Sequence, residues 1–336
     1  MTTSLVIGGT GAMGSRVVRR LAARADNAVV VLTRDPSSDR ARDLVSELGD
    51  RVRLVRGDLD DAGSLRDAVA GVDEVFVNTD FQATISPLRE YEQGLAALQA
   101  AERAGVERLV YSSLDNAVVL TGGRIPVPHY DSKAAVEAWI GLRRSEEMMR
   151  KDADGWYSRH VAVLVTAPYF ENLQSRMSPR PGTLPDGRDG LLFTLPLGEA
   201  GRWPMIGLDD TAWYADHMLS NWDDWAGRTL SVVSEGLTGD RIASTFEQVT
   251  GIPAAYRPVP PDALRSSIPR IGHDLAAMFE FFTEFDVADR ARDVAALRAI
   301  HPGLRSFVDW LTSTGWRGTE EEVQKKAFQV ASQLRP

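Results

Sequence analysis

Short apolar runs alternate with amphipathic helical patterns through the first 165 residues, and this alternation restricts the fold more than any other feature of the sequence. The apolar runs predict six strands, at 4–9, 28–33, 52–58, 74–79, 108–113 and 160–166. Strands this short and this uniformly apolar are typical of a parallel sheet that is covered on both faces. The alternation therefore predicts an α/β fold with a doubly wound parallel sheet, in which ligands bind at the carboxyl ends of the strands.

The segments between these strands carry helical periodicity, which predicts helices at 14–25, 64–71 and 88–104. The first helix places four apolar residues on one face: Val17, Val18, Leu21 and Ala22. The third has an apolar stripe that we expect to face the core, formed by Leu88, Tyr91, Leu95 and Leu98.

The pattern changes after Pro168, where a loop rich in proline and glycine occupies 178–190. Beyond it we predict strands at 191–196 and 229–235, and helices near 239–250, 272–285 and 286–299. The chain is thus expected to have a sheet domain at 1–167, to which part of 200–235 returns. A smaller interleaved α+β domain is expected at 168–318 and an amphipathic C-terminal helix at 319–336. Five aromatic residues either line a substrate pocket or, as is expected for most of them, pack in a core: Tyr169, Phe170, Phe279, Phe281 and Phe282.

Composition excludes several classes of function. The net charge of −9 over 336 residues argues against a nucleic-acid-binding surface, and the apolar runs are too short to span a membrane. The chain has no cysteine, which removes disulfides and thiol chemistry, and its five histidines lack metal-binding spacing. The N-terminus shows no signal-peptide pattern, so we expect a cytoplasmic location.

Three glycines separate the first predicted strand from the first predicted helix in VIGGTGAMGSRVVRRL. Gly8 suits a sharp turn, Gly11 lets backbone N–H groups approach a pyrophosphate, and Gly14 lets the helix pack closely on the strand. The pyrophosphate would lie at the N-terminus of the helix that begins near Ala12. The spacing alone is weak evidence, but its position between a strand and a helix predicts a dinucleotide site of the Rossmann type.

The second predicted strand ends without the carboxylate that usually binds the ribose 2′-hydroxyl of NAD. Arg34 follows instead, and its guanidinium suits a 2′-phosphate, with Ser37 and Ser38 as further donors. Asp35 must point away for this interpretation to hold. The sequence therefore favours NADP(H).

Polar residues also follow the third and fourth predicted strands. Asp58 either accepts from the adenine amino group or caps the next helix, and Asp60 and Asp61 are expected to be caps. Asn78 and Thr79 occupy the position that contacts the nicotinamide-side ribose, although polar residues there are also ordinary turn formers.

Five motifs together resemble the NmrA-like family of atypical short-chain dehydrogenases/reductases: GGTGAMG, TRDP, GDLDD, HYDSK and APYFENL. The resemblance implies a Rossmann domain that binds NADP(H) and a small C-terminal domain. It implies that the phosphates contact Gly8, Gly9, Thr10, Gly11, Ala12 and Met13, with Gly14 behind them, and the 2′-phosphate Arg34. It implies further that Asp58 and Leu59 face the adenine, that Asn78, Thr79, Asp80 and Lys133 bind the nicotinamide half, and that Tyr169, Phe170, Glu171 and Asn172 close over the ring. Some members have a lysine at the position of Ser38, which predicts weaker 2′-phosphate binding here.

The catalytic question depends on PHYDSK. Short-chain relatives use a tyrosine four residues before the lysine as proton donor, whereas here His129 lies four residues before Lys133 and Tyr130 three. Either His129 or Tyr130 is a candidate acid, since both spacings lie near one helix face, or neither reacts and Lys133 only binds ribose. Ser112 and Ser113 offer a catalytic hydroxyl after the fifth strand or are turn residues.

Two functions follow, with a non-catalytic, non-signalling NADP(H)-binding scaffold as a third. The chain is either an NADPH-dependent reductase of a small carbonyl, quinone or imine, or a redox sensor whose NADP(H)-bound form a regulatory protein partner recognises. We lean toward the enzyme because an imidazole at the acid position permits proton transfer. No nucleic-acid or membrane partner is expected, and a symmetric homodimer is the default assembly.

Overall fold

The computed structural model of this chain describes residues 1–175 and 177–321. The described chain forms two compact units, each assembled from separate segments. The first contains Met1–Asp115, His129–Thr166 and Thr211–Leu230. The second contains Asn116–Pro128, Ala167–Asp210 and the described residues from Ser231 onward. Most of the predicted C-terminal helix, 322–336, lies outside the described residues.

The described residues contain twelve strands and sixteen α-helices. The strands are β1 Thr2–Ile7, β2 Asn27–Thr33, β3 Val52–Arg56, β4 Glu74–Val77, β5 Arg108–Ser113, β6 Val161–Val165, β7 Arg180–Thr183, β8 Asp189–Phe193, β9 Trp203–Met205, β10 Thr229–Ser231, β11 Glu235–Leu237 and β12 Ala254–Tyr256. The helices are α1 Ala12–Ala22, α2 Asp39–Leu48, α3 Ala62–Val69, α4 Phe81–Thr84, α5 Pro87–Ala104, α6 Ala117–Leu120, α7 Pro128–Arg150, α8 Trp156–Arg159, α9 Leu208–Ser220, α10 Trp222–Trp225, α11 Gly239–Thr250, α12 Asp262–Ser267, α13 Gly272–Glu284, α14 Val287–Arg290, α15 Val294–Ile300 and α16 Phe307–Thr314.

The first unit is built on a seven-stranded sheet of order β10-β6-β5-β4-β1-β2-β3. Strands β1 to β6 pair in parallel, which confirms the predicted doubly wound α/β class. Ile7 at the end of β1 is aligned with Leu32 on β2 and with Val77 on β4. The connections that follow these three strands therefore leave the sheet side by side, at the point where strand order reverses and ligands usually bind.

The six predicted strands of this sheet are confirmed, with ends shifted by a few residues. The buried face of α1 is also confirmed, because Val17, Val18, Leu21 and Ala22 are all buried. The stripe predicted for α5 is wrong only at Leu88, which is 74% exposed; Leu98 is buried, and Tyr91 and Leu95 are partly buried and pack against the core. The buried residues of α5 are Glu90, Gln93, Gly94, Ala97, Leu98, Ala100 and Ala101.

Close packing explains why α5 turns this face inward. A Cβ atom added at Gly94 would lie 2.7 Å from Val136 Cγ2 on α7 and 3.3 Å from the Tyr111 hydroxyl on β5. A side chain at Gly94 would therefore collide with α7. Steric fit at this position determines how closely the helix approaches its neighbours.

The second unit contains two small sheets. Strand β9 pairs antiparallel with β11, whereas β8 pairs antiparallel with β7 and parallel with β12. The single strand predicted at 229–235 is wrong, because β10 and β11 belong to different sheets. The helix predicted at 286–299 is likewise divided into α14 and α15. The core interpretation of the α13 aromatics is confirmed, since Phe279, Phe281 and Phe282 are buried.

Candidate nucleotide site and its lysine

The turn between β1 and α1 leaves no room for side chains at Gly8, Gly9 and Gly14. Gly8 has φ +81°, and a Cβ atom there would lie 2.4 Å from the Asn78 carbonyl oxygen. A Cβ at Gly14 would lie 2.1 Å from the Gly8 carbonyl oxygen, and one at Gly9 would lie 2.8 Å from Val31 Cγ1. The geometry agrees with the turn expected at Gly8 and the close packing expected at Gly14, and it assigns a packing role to Gly9 that the spacing did not indicate.

Helix α1 begins at this loop with its first N–H groups uncapped by any side chain. Gly11 is the N-cap residue, and its own N–H donates to the Gly8 carbonyl at 3.0 Å. The loop residues Thr10, Gly11 and Ala12 remain partly accessible, whereas Met13 is buried with its sulfur 3.9 Å from Ser112 Oγ. An uncapped helix start with an accessible glycine backbone fits a pyrophosphate.

Arg34 follows β2 and is exposed to solvent. Its neighbour Asp35 accepts hydrogen bonds from the backbone N–H and the hydroxyl of Ser37, at 2.9 and 2.5 Å, and these bonds lower the pKa of the Asp35 carboxyl. Asp35 is therefore turned toward Ser37 rather than left to compete with Arg34 for a ligand. Ser38 Oγ donates to the Asp35 carbonyl at 2.9 Å.

The three aspartates after β3 have different partners. Asp58 accepts from the Asp60 N–H at 3.1 Å, and Leu59 packs against the sheet core. Asp61 is the N-cap of α3, as predicted. Asp60 is not a cap, which corrects the prediction. It accepts from Arg89 at 2.5 Å and from Gln93 at 3.0 Å on α5.

The residues after β4 combine capping with a hydrogen-bonded network. Asp80 is the N-cap of α4 and accepts from the Gln82 N–H at 3.1 Å. Asn78 continues the ladder by donating its N–H to the Ile7 carbonyl at 3.1 Å. Thr79 is buried and contacts Lys133 on α7.

Lys133 Nζ is held by two oxygens of Thr79, which follows β4, and by one carboxylate oxygen of Glu90 on α5. Its Nζ lies 2.7 Å from Thr79 Oγ1, 2.8 Å from the Thr79 carbonyl oxygen and 3.0 Å from Glu90 Oε1. Asn78 Oδ1 is 3.4 Å away. The predicted Lys133, Asn78 and Thr79 are therefore brought together, and Glu90 joins them although the sequence interpretation did not include it.

Glu90 is completely buried, and both of its carboxylate oxygens accept hydrogen bonds. Thr79 Oγ1 donates to Oε1 at 2.8 Å, and Ser132 Oγ donates to Oε2 at 2.5 Å. Burial raises the pKa of the nearby Tyr111 phenol well above its ordinary value, and the negative charge of Glu90 raises it further. Tyr111 therefore stays neutral beside the ion pair.

His129 and Tyr130 lie at the start of α7 in different environments. His129 is partly accessible, and its ring lies 5.9 Å from the ring of Phe81 and 4.8 Å from that of Tyr130. Tyr130 is only 1% exposed. A proton donor has to reach its acceptor, so the accessibility of the two rings favours His129 over Tyr130.

Ser112 and Ser113 are the last residues of β5 and are buried, so they are strand residues rather than turn residues. Ser113 Oγ donates to the Leu114 carbonyl at 3.2 Å. Burial raises the pKa of Glu137, which also faces Ser113 and Thr229.

The predicted residues Tyr169, Phe170, Glu171 and Asn172 belong to the second unit. Phe170 is buried, and its ring packs against the rings of Phe307 and Trp310. Glu171 accepts from Trp310 Nε1 at 3.1 Å and from the Leu208 N–H at 3.2 Å. Their predicted position over a nicotinamide ring stays a prediction, while their contacts within the unit show a structural role.

The model of the NmrA-like family matches residues 2–321 of the chain. The chain belongs to the NmrA-like family. A curated relative, the NmrA-like family domain-containing oxidoreductase FrzB of Cladobotryum sp, is 29% identical over 265 residues, which are 76% of this chain and 76% of that protein.

Solved structures share the fold of this NmrA-like chain. The crystal structure of NmrA, a negative transcriptional regulator, in complex with NADP is 20% identical, covers 93% of this chain and 94% of its own, and has a TM-score of 0.74. Triphenylmethane reductase of Citrobacter sp., complexed with NADP(H), is 18% identical, covers 94% and 100%, and has a TM-score of 0.69. In this NmrA-like chain, no helix within the described residues is both long and apolar enough to cross a bilayer.

A sequence signal for Glu90 does exist. In this NmrA-like chain Glu90, Gly94, Ala97 and Ala101 recur at helical spacing on one face of α5, so an acidic residue begins a stripe of small residues. A carboxylate on such a closely packed face must be paired, because burial of an unpaired charge is costly. Recognising the small-residue face would have indicated that Glu90 needs a cation.

Proposed function

We propose that this NmrA-like protein is an NADPH-dependent reductase of a small carbonyl, quinone or imine. The observation that carries the proposal is the β1–α1 loop, where side chains at Gly8 and Gly14 would overlap backbone oxygens and the helix start is uncapped. This cradle fits a pyrophosphate, and the exposed Arg34 next to β2 fits a 2′-phosphate. The oxidoreductase FrzB and the NADP(H)-bound triphenylmethane reductase support the same chemistry.

Each group of this chain has a defined task in the proposed reaction. The chemistry that NADPH supplies when bound is the transfer of a hydride. Gly8 to Met13 hold the phosphates, Arg34 binds the 2′-phosphate, and Lys133 with Asn78 binds the ribose. His129 donates the proton that completes reduction of a carbonyl or imine, because an imidazole exchanges protons near neutral pH.

The test is a fluorescence titration with NADPH followed by NADPH consumption with a panel of quinones and carbonyls. General acid catalysis contributes about 10²- to 10⁴-fold, so H129A is expected to lower turnover of a carbonyl by that order. The matched control Y130F alters the adjacent ring and is expected to leave turnover unchanged. A loss confined to Y130F would assign the proton to Tyr130 instead.

A second candidate function is regulation of a protein partner by bound nucleotide. It is favoured by the replacement of the usual tyrosine with His129, and NmrA itself is a negative transcriptional regulator. Saturable NADPH binding without consumption by any acceptor in the panel would favour this regulator over the reductase.

A further inference from the structure

The buried ion pair between Glu90 and Lys133 has no place in the proposed proton transfer, yet it lies directly beside the residues assigned to the cofactor ribose. We infer that Glu90 is a positioning residue that fixes Lys133 Nζ at the carboxyl end of β4 and neutralises its charge. Lys133 then binds the ribose by exchanging one of its Thr79 contacts for a ribose hydroxyl while Glu90 keeps Nζ in place, rather than acting as a free positive charge that activates a proton donor. This inference rests on the proposed NADP(H) site.

The hydrogen-bond inventory explains how the lysine is fixed. An ammonium group has three N–H donors, and Lys133 Nζ has three acceptors within 3.0 Å: Glu90 Oε1 and the two oxygens of Thr79. Thr79 Oγ1 in turn donates to the same Glu90 oxygen, so the lysine, threonine and glutamate form a closed ring of contacts. Such a ring defines the position of Nζ in three directions.

The second carboxylate oxygen ties this ring to helix α7. Ser132 Oγ donates to Glu90 Oε2 at 2.5 Å, and Ser132 directly precedes Lys133 in the chain. Glu90 therefore binds the Lys133 ammonium through one carboxylate oxygen and the hydroxyl of the adjacent Ser132 through the other. Any shift of α7 relative to α5 would break both contacts.

The charges of the pair compensate each other inside the protein. Glu90 is fully buried and Lys133 is 7% exposed, so water screens neither of them well. With the opposite charge 3.0 Å away, Lys133 projects little net field toward His129, one helical turn before it. This differs from a site in which an uncompensated lysine lowers the pKa of a neighbouring donor.

The test is a double-mutant cycle read by NADPH binding and by thermal unfolding of the nucleotide-free protein. Variants E90Q, K133M and E90Q/K133M are compared with the wild type. We expect E90Q to raise the NADPH Kd about tenfold, within the range of coupling seen for contacting residues, and to change it less than twofold in the K133M background. K133M is expected to have the lowest unfolding midpoint, because it leaves a buried carboxylate without a cation. The midpoint of E90Q/K133M is expected to lie closer to that of the wild type.

Two further variants separate positioning from other effects. E147Q removes a different buried carboxylate on α7, one that binds Tyr157 and Ser158, and should lower the unfolding midpoint without changing the NADPH Kd. S132A keeps both charges but removes one bond to Glu90. It should raise Kd by a smaller factor than E90Q, and it provides the comparison if E90Q does not fold.

The outcomes distinguish the inference from the proposed function. Simple charge repulsion between Glu90 and an anionic cofactor would make E90Q bind NADPH more tightly, with and without Lys133, and would overturn positioning. An unchanged Kd in E90Q and S132A would overturn it as well. If the wild type itself shows no saturable binding, the proposed function fails, while the midpoints of K133M and E90Q/K133M still decide whether the two residues form a coupled pair.

Discussion

Single atoms decide which residues the nucleotide loop tolerates. Gly14 lies inside α1, where alanine would ordinarily be the better helix former, yet an added Cβ atom would lie 2.1 Å from the Gly8 carbonyl oxygen, which excludes a methyl group. A helix preference is thus overruled by one backbone contact. The same reasoning identifies a glycine at which the preference should prevail, namely Gly141 in α7, which has no neighbouring atom within 4 Å of an added Cβ.

We expect Gly14→Ala to destabilise the protein by about 1–3 kcal/mol, because the methyl group displaces the Gly8 turn, and to abolish detectable NADPH binding. The matched variant Gly141→Ala should stabilise it by about 0.5–1 kcal/mol and leave binding unchanged. Urea unfolding and NADPH titration measure both effects. Normal NADPH binding by G14A would contradict the assignment of the cradle.

Arg34 is expected to select between the two nicotinamide cofactors. A charge-assisted hydrogen bond contributes about 1.5–3 kcal/mol, so Arg34→Ala should raise the Kd for NADPH about tenfold or more. The Kd for NADH, which lacks the 2′-phosphate, should change little. Titration of both cofactors tests this, and an equal loss for NADPH and NADH would show that Arg34 does not read the phosphate.

At the scale of elements, a polar network links the chain just after α1 to β4 and α9 within the first unit. Glu74 on β4 is fully buried and accepts from Arg24 at 2.7 Å and from Ser4 Oγ at 2.5 Å. Arg24 also binds Asp216 at 2.7 Å. Charged side chains therefore stabilise the end of the sheet opposite the nucleotide loop, where β4 begins, whereas close packing stabilises the loop itself.

Removing one member of a buried ion pair leaves the other without its partner. We expect Glu74→Ala to lower the free energy of unfolding by about 3 kcal/mol, and Glu47→Ala, which breaks the exposed pair with Arg19, to lower it by less than about 1 kcal/mol. Urea denaturation compares the two. Equal losses of unfolding free energy in the two variants would mean that the Glu74 network contributes no more to stability than an exposed ion pair.

Glu171 predicts a pH dependence in the second unit. Burial raises the pKa of its carboxyl above the ordinary value of 4.5, so the folded protein retains a proton that the unfolded chain releases. Stability from this group is therefore lost as pH rises above about 4.5 toward the folded-state pKa. Glu171→Gln should remove this decline, as measured by thermal unfolding between pH 5 and 7. The same slope in the variant would assign it to other groups.

At the scale of the whole molecule, segments that are neighbours in sequence belong to different compact units. Thr211–Leu230 belongs to the first unit, and Asn116–Pro128 belongs to the second. Neither unit is one continuous stretch of chain. A segment can belong to a distant unit only because its buried face finds its complement there, and that complement is not local in sequence.

The sequence by itself determined the parallel sheet, the glycine cradle and the positions of Arg34, Asn78 and Lys133, because apolar period and glycine spacing are local properties that each segment carries alone. Only the tertiary structure decided that Glu90 and Gly94 of α5 are buried while Leu88 is exposed, that 229–235 divides between two sheets, and that Glu90 contacts Lys133, 43 positions further along the chain. These features depend on steric fit and on pairing of buried charge between distant segments. Local periodicity carries no information about either.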